Sequence, residues 1–202
     1  MNGYKFVFRY LAWAAFLYVL FFFESFSPLF FVQAWQTELT IWLTRFWIDY
    51  FQIAVNMIGN TVYLKSGFKI WIEDGCNGLL AYLLYAVAIL AFPAANKLRL
   101  VWLFEGYFYL VLVNSLRIDF VIYISMFDPN YFFFVHDVIG RGFIFINLVV
   151  MFMLFTLRVQ VTTGVKKFVE RRKRRFDRRH ANAKEWRAQP YEIRHGGDRR
   201  KD

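Results

Sequence analysis

The stretch that decides the fold is CNGLLAYLLYAVAILAFP, residues 76–93. From Asn77 to Phe92 it carries no charged side chain, and Pro93 stops it, since proline cannot continue a helix interior. A membrane-spanning helix needs about 20 predominantly apolar residues with few charges, and this run reads as one of four such segments. The composition supports that reading. The 202 residues are 58% hydrophobic and 22% aromatic, with 26 Phe, 12 Tyr and 7 Trp. An ordinary soluble domain is roughly 45–50% apolar, so these side chains need a solvent other than water.

Working outward, the first apolar segment covers residues 10–23, behind Lys5 and Arg9, with an extension past Glu24 and Pro28 to Val32 as an alternative end. Val32-Gln33-Ala34 resembles a small-residue cleavage site, but the apolar run ends well before it and Glu24 intervenes. The segment therefore reads as an uncleaved anchor. The loop PAANKLR, with Lys97 and Arg99, follows the second segment. The third begins at Leu100 and meets Arg117 after about 25 Å of helix at 1.5 Å per residue, near the far interface. It stays apolar to Met126, where Asp128-Pro129-Asn130 signals a turn. The fourth covers residues 138–157, and Arg158 opens a basic tail. Between the first two segments, residues 42–62 carry Arg45, Asp49 and Asn56 among aromatics and predict an amphipathic helix at the interface. In residues 63–73, Phe68, Ile70 and Ile72 alternate with Lys69, Trp71 and Glu73, which predicts a short extended hairpin leading into Asp74-Gly75-Cys76. The expected fold is an all-α, polytopic membrane helical bundle of about four transmembrane helices plus an outer-face amphipathic helix.

The formal charge of +10 belongs to one end of the chain. Residues 158–202 hold 16 Lys+Arg and 6 Asp+Glu, whereas residues 1–157 hold nine of each sign. Two parts are expected: a membrane-embedded domain over residues 1–157 and a basic cytoplasmic tail over residues 158–202. With four spans, Lys5 and Arg9, Lys97 and Arg99, and the tail all share one side. By the bias of basic residues toward the cytoplasm, that side is cytoplasmic, as expected of a multi-pass inner-membrane protein with both termini inside. The tail, with Lys166, Lys167 and the run from Arg171 to Arg175, suits anionic lipid, at about 1 kcal/mol per basic residue near the surface. Nothing in it reads a base, so no specific nucleic-acid partner is expected, and nothing in the chain sets an oligomeric state. His180 and His195 read as solvated residues and not as metal ligands.

The single cysteine removes a disulfide framework and any multi-cysteine metal site. No phosphate-binding glycine loop occurs, and no cofactor is expected. What the topology does place at one depth, on the outer side, is a thiol, a guanidinium and an imidazole. Cys76 begins span two, Arg117 lies near the outer end of span three, and His136 precedes span four. Singly, each has an ordinary structural reading: a small buried hydrophobe, an interface anchor, a satisfied interface histidine. The setting Asp-Gly-Cys-Asn-Gly instead puts the sulfur at a helix N-terminus, where backbone N–H groups favour thiolate. Glu73 and Asp74 oppose that shift, so a nearby cation is needed. Arg117 can supply it, with Asn114 three residues earlier on the same helix face, although Asp119 is an alternative partner that would neutralise it. A histidine beside a thiol serves as general base or ion-pair partner. Gly140 permits close helix approach.

Cys76-Asn77-Gly78, Asn114-Ser115-Leu116-Arg117, and His136 with Gly140 resemble, in order and spacing, the three signature blocks of the exosortase/archaeosortase family. The similarity covers about residues 57–157, and this chain is a minimal-length version, since larger exosortases have more spans. The resemblance implies a membrane cysteine transpeptidase or protease, comparable in function to sortase on an unrelated fold. Such enzymes act on membrane-anchored proteins that end in a C-terminal sorting signal: a short motif, a transmembrane helix and a basic cluster. By that likeness Cys76 is the nucleophile, His136 the general acid/base and Arg117 the stabiliser of thiolate or oxyanion. Asn77, Gly78, Asn114 and Gly140 are supporting or substrate-binding positions. The rival reading from another class is a non-enzymatic membrane scaffold or assembly factor for envelope or exopolysaccharide biogenesis. A small transporter is weaker, because the sequence offers no pair of broken helices in matching halves.

Overall fold

The computed structural model describes residues 3–23 and 29–188. Its elements run α1 (Gly3–Phe22), α2 (Phe30–Tyr50), β1 (Asn56–Ile58), β2 (Thr61–Tyr63), β3 (Lys69–Trp71), α3 (Leu79–Ala91), α4 (Asn96–Phe127) and α5 (Arg141–Ala188). Short 3-10 turns precede α3 and follow α4, and a π-helical segment, Phe134–Gly140, leads into α5. The chain divides into two compact units, Met1–Leu157 and Arg158–Asp202. Glu24, Pro28 and His195 lie outside the described residues.

The protein is a membrane helical bundle. Three stretches among the described residues are long and apolar enough to cross a bilayer, namely Gly3–Phe22, Asn96–Phe127 and Phe134–Phe176. The second predicted span is shorter than the sequence suggests. At 13 residues, α3 is about 20 Å long against a hydrocarbon core of about 30 Å. It is also the most enclosed helix, with Tyr85, Ile89 and Ala91 fully buried. Lipid-facing character falls instead on α1, which buries no residue, and on the outward rings of α4, such as Phe104 and Phe108. Within the first unit, Phe6, Phe92, Trp102, Phe152 and Phe155 stack edge-on or tilted where α1, α3, α4 and α5 meet.

The predicted amphipathic helix over residues 42–62 is overturned. The helix starts earlier, at Phe30, and ends at Tyr50. Gln52 takes φ 53°, and residues 56–63 form the β1–β2 hairpin. Gly59 adopts φ +60°, the sign that a II′ turn requires of its first central residue. The hairpin expected over residues 63–73 is present as β2–β3, and β1 adds a third antiparallel strand. The reason is a small second core. Val62 and Ile70 are paired across the sheet, and with Leu64 and Ile72 they pack on Ile48 of α2 and on Ile118 and Ile122 of α4. A helix continued through residue 62 would break that alternation.

With 32 residues, α4 is about 48 Å long, longer than a bilayer core. Its C-terminal portion beyond Arg117 is the part that carries the sheet. The sheet in turn holds the segment leading to Cys76, because the Ile72 N–H donates to the Asn60 carbonyl at 2.9 Å.

Close approach of α3 and α4 depends on Gly106, where an added Cβ would stand 2.2 Å from Tyr85 Cε1, while Gly142 has open space around it. Gly106→Ala is expected to lower the melting temperature in detergent micelles by the equivalent of about 1–3 kcal/mol of overpacking. Gly142→Ala should leave it unchanged or slightly raised. Differential scanning measurements on both variants check this.

Candidate active site

The site begins with a break in regular structure. Asp74–Cys76 form one 3-10 turn, with the Cys76 N–H donating to the Glu73 carbonyl at 2.9 Å. Gly78 follows at φ +77°. An added Cβ there would be strained and would also lie 2.9 Å from Asn114 Cγ. Asn77 accepts the Leu79 N–H on its Oδ1 at 2.9 Å, which satisfies the first free N–H of α3.

Side chains from two other helices hold this turn. From α4, Asn114 Nδ2 donates to the Cys76 carbonyl at 2.8 Å. From α2, Gln36 Nε2 donates to the Asn77 carbonyl at 3.1 Å, and Thr40 Oγ1 shares its one proton between the Gln36 carbonyl at 2.9 Å and the Asn77 carbonyl at 3.3 Å. The Asn77 amide donates back to Thr37 Oγ1 at 3.0 Å and to the Gln33 carbonyl at 3.3 Å, and Thr37 donates to Asp74 Oδ1 at 2.5 Å. Tyr107 of α4 donates to Gln36 Oε1 at 2.6 Å. Gln36, Thr40, Asn77 and Asn114 are all buried. The sequence reading missed Gln36, Thr37, Thr40 and Tyr107. Gln36, Thr37 and Thr40 form a polar stripe at i, i+3 and i+4 spacing along α2, concealed by the aromatic residues around it, whereas Tyr107 of α4 carries no such signal.

Cys76 and His136 come into contact, with Sγ 3.6 Å from Nε2. The imidazole is delivered by the π-helical segment Phe134–Gly140 and stacks on Phe132, with ring centroids 5.4 Å apart and planes 15° apart. Its Nδ1 lies 3.0 Å from Asp137 Oδ1, and the same oxygen accepts from Arg141 Nη2 at 2.8 Å. Asp137, too, was absent from the residues singled out by sequence.

Arg117 is 9% exposed. Its Nη1 donates to Asn114 Oδ1 at 3.1 Å, and its buried Nε has no partner. Asp119 does not pair with it. Asp119 occupies another face of α4, beside a cavity of about 610 Å³ lined by Phe51, Phe120 and Tyr123 among others. Arg117 therefore reaches Cys76 through Asn114, while its charge acts on the sulfur through space. Gly140 makes room for the arginine, since a Cβ there would stand 2.7 Å from Arg117 Nε.

The structure thus gathers Cys76, Asn77, Gly78, Asn114, Arg117, His136 and Gly140 into one connected cluster. The hydrogen bond with His136 pulls the Cys76 thiol below its ordinary value, against the burial that pushes it up, and the charges of His136 and Arg117 add to the pull. Chemically, the arrangement offers a thiol disposed toward thiolate, an imidazole able to exchange a proton with it, and a guanidinium with unused donors.

A search of curated proteins finds no match, and neither does a search of solved structures. A family model for transmembrane exosortases matches residues 3–156. That match takes in α1 and α2, further toward the N-terminus than the similarity over residues 57–157, and it stops where the basic tail begins. The cluster described above lies wholly inside the matched region, and the chain belongs to the transmembrane exosortase family.

Proposed function

We propose that this protein is a membrane cysteine transpeptidase or peptidase. Its substrates are membrane-anchored proteins that carry a C-terminal sorting signal composed of a motif, a transmembrane helix and a basic cluster. The observation that carries the reading is the 3.6 Å approach of Cys76 Sγ to His136 Nε2, beside a buried guanidinium that has no carboxylate in ion-pair contact among the described residues.

In the proposed reaction the Cys76 thiolate attacks the carbonyl carbon of the scissile peptide. The C=O π electrons move to oxygen, and the Arg117 guanidinium meets the resulting charge. Donors of this kind are worth about 3–4 kcal/mol each. His136, as imidazolium, gives its Nε2 proton to the leaving amine as the C–N bond breaks, and a thioester remains on Cys76. An acceptor nucleophile or water then loses a proton to Nε2 and attacks the thioester, which releases the thiolate. A substrate held by its own transmembrane helix reaches this site by lateral diffusion, so membrane confinement supplies effective concentration in place of a deep pocket.

The distribution of Lys and Arg supports an inner-membrane orientation with both termini cytoplasmic and the site on the outer face. The basic tail then lies where anionic headgroups attract it.

In cells that express a matching substrate, Cys76→Ala is expected to abolish processing, read by immunoblot, while membrane insertion persists. The scaffold reading predicts the opposite pattern, in which Cys76→Ser is silent and removal of residues 166–202 destroys function. A second expectation concerns pH. Because the thiol is lowered mainly by His136, the alkylation rate of Cys76 by iodoacetamide should rise with pH around a midpoint below that of a free cysteine. His136→Ala removes the leading cause and leaves burial opposed only by the charge of Arg117 and the backbone at Glu73, so its midpoint should move above the wild-type value. An unchanged midpoint would count against the ion pair.

A further inference from the structure

Beyond the thiol, the imidazole and the guanidinium, the cluster holds a carboxylate to which no role is yet assigned. Asp137 Oδ1 lies 3.0 Å from His136 Nδ1, on the ring edge opposite the nitrogen that faces Cys76. A neutral imidazole carries its proton on one nitrogen only. An acceptor at Nδ1 places the proton there and leaves the Nε2 lone pair free to take the thiol proton, and a negative acceptor further favours the imidazolium that results.

We propose that Asp137 is a positioning residue that orients His136 toward Cys76 and stabilises its charged form, completing a Cys76–His136–Asp137 relay.

Three independent features support it. The carboxylate is itself fastened, because Arg141, one helical turn on, donates to the same Oδ1 at 2.8 Å. The imidazole is clamped from its face by Phe132, which packs in turn on Phe68 beside the sheet. Residues Phe134–Gly140 wind as a π-helix, a form that is rare and concentrated at functional sites. The charged and titratable groups that act on the ring are the Cys76 thiol from the turn before α3, Arg117 from α4, and Asp137 with its partner Arg141 from its own element. Of these, Asp137 is the carboxylate in contact with the ring. Arg141 shares the oxygen and offsets part of its charge, so orientation is the larger share of what Asp137 supplies.

This inference rests on the cysteine-peptidase reading, and its test separates the two. In the full-length protein in detergent micelles, Asp137→Ala is expected to move the midpoint of Cys76 alkylation upward. With a processed substrate, it should lower kcat by at least about 10-fold, the lower end for carboxylate partners of metal-bound histidines and well short of the loss in a nucleophile–His–Asp triad, with KM little changed. Asp137→Asn keeps an acceptor for Nδ1 and loses the charge, so it should recover much of kcat while the midpoint stays raised. If both variants keep the wild-type midpoint and kcat, the role is overturned. A fall in folded yield with an unchanged midpoint in the folded fraction overturns it equally, since that is the signature of a merely structural residue. The alkylation readout needs no substrate. If Cys76→Ala still processes substrate, the peptidase reading fails, while the coupling of Asp137 to the thiol remains measurable by itself.

Discussion

Everything at the site depends on one constraint of membrane proteins: backbone that leaves regular structure near lipid must find its hydrogen bonds inside the protein. The turn Asp74–Cys76 and the two residues after it form such a break. Its exposed carbonyls are met by side chains. Asn114 takes that of Cys76, and Gln36 with Thr40 takes that of Asn77. Without those donors the chain would gain by continuing as helix, and Cys76 would become one more apolar residue on a spanning segment.

The same constraint explains the unusual composition of two helices. Buried Gln36, Thr40 and Thr44 in α2, and buried Asn114, Ser115 and Arg117 in α4, are costly in an apolar interior unless paired. Most of them are paired, to the turn or to each other. The exceptions among the described residues are Thr44 Oγ1, both carboxylate oxygens of Asp119, and the Nε of Arg117, of which Arg117 belongs to the cluster around Cys76. A buried donor left unsatisfied costs about 1–3 kcal/mol or more when charged, and such a cost persists where charge appears only during reaction. The small sheet completes the arrangement by fixing residues 69–72 against the C-terminal part of α4, so the turn is held at both ends.

Much of this was legible in the sequence, and what was not has physical reasons. The apolar runs, the proline and glycine stops and the three reactive residues are local signals, readable from spacing alone. Cys76, Arg117 and His136 were expected at one depth because topology follows from charge, and the contact between Cys76 and His136 then required that α3, with the turn before it, and the segment Phe134–Gly140 both pack on α4. The start of α2 at Phe30 was hidden because the residues that hold the turn, Gln36, Thr37 and Thr40, are uncharged and sit among Phe and Trp. The β1–β2 hairpin was hidden because residues 42–62 are aromatic enough to pass for an interfacial helix, even though Gly59-Asn60 is a two-residue hairpin signal. Asp137 was hidden because a carboxylate adjacent in sequence to a histidine gains meaning only once the ring orientation is known. The π-helical winding that sets it has no sequence signature.

In the proposed mechanism Cys76, held in place by its turn, is the nucleophile, and acyl transfer passes through its sulfur. The most direct measurement is intact-protein mass spectrometry of the full-length chain after brief exposure to a sorting-signal substrate, followed by peptide mapping and treatment with hydroxylamine. The account predicts a mass gain equal to the acyl portion of the cleaved substrate, mapped to Cys76 and released by hydroxylamine as a thioester would be. Cleaved substrate accumulating with no adduct on Cys76, or with an adduct on another residue, would contradict it.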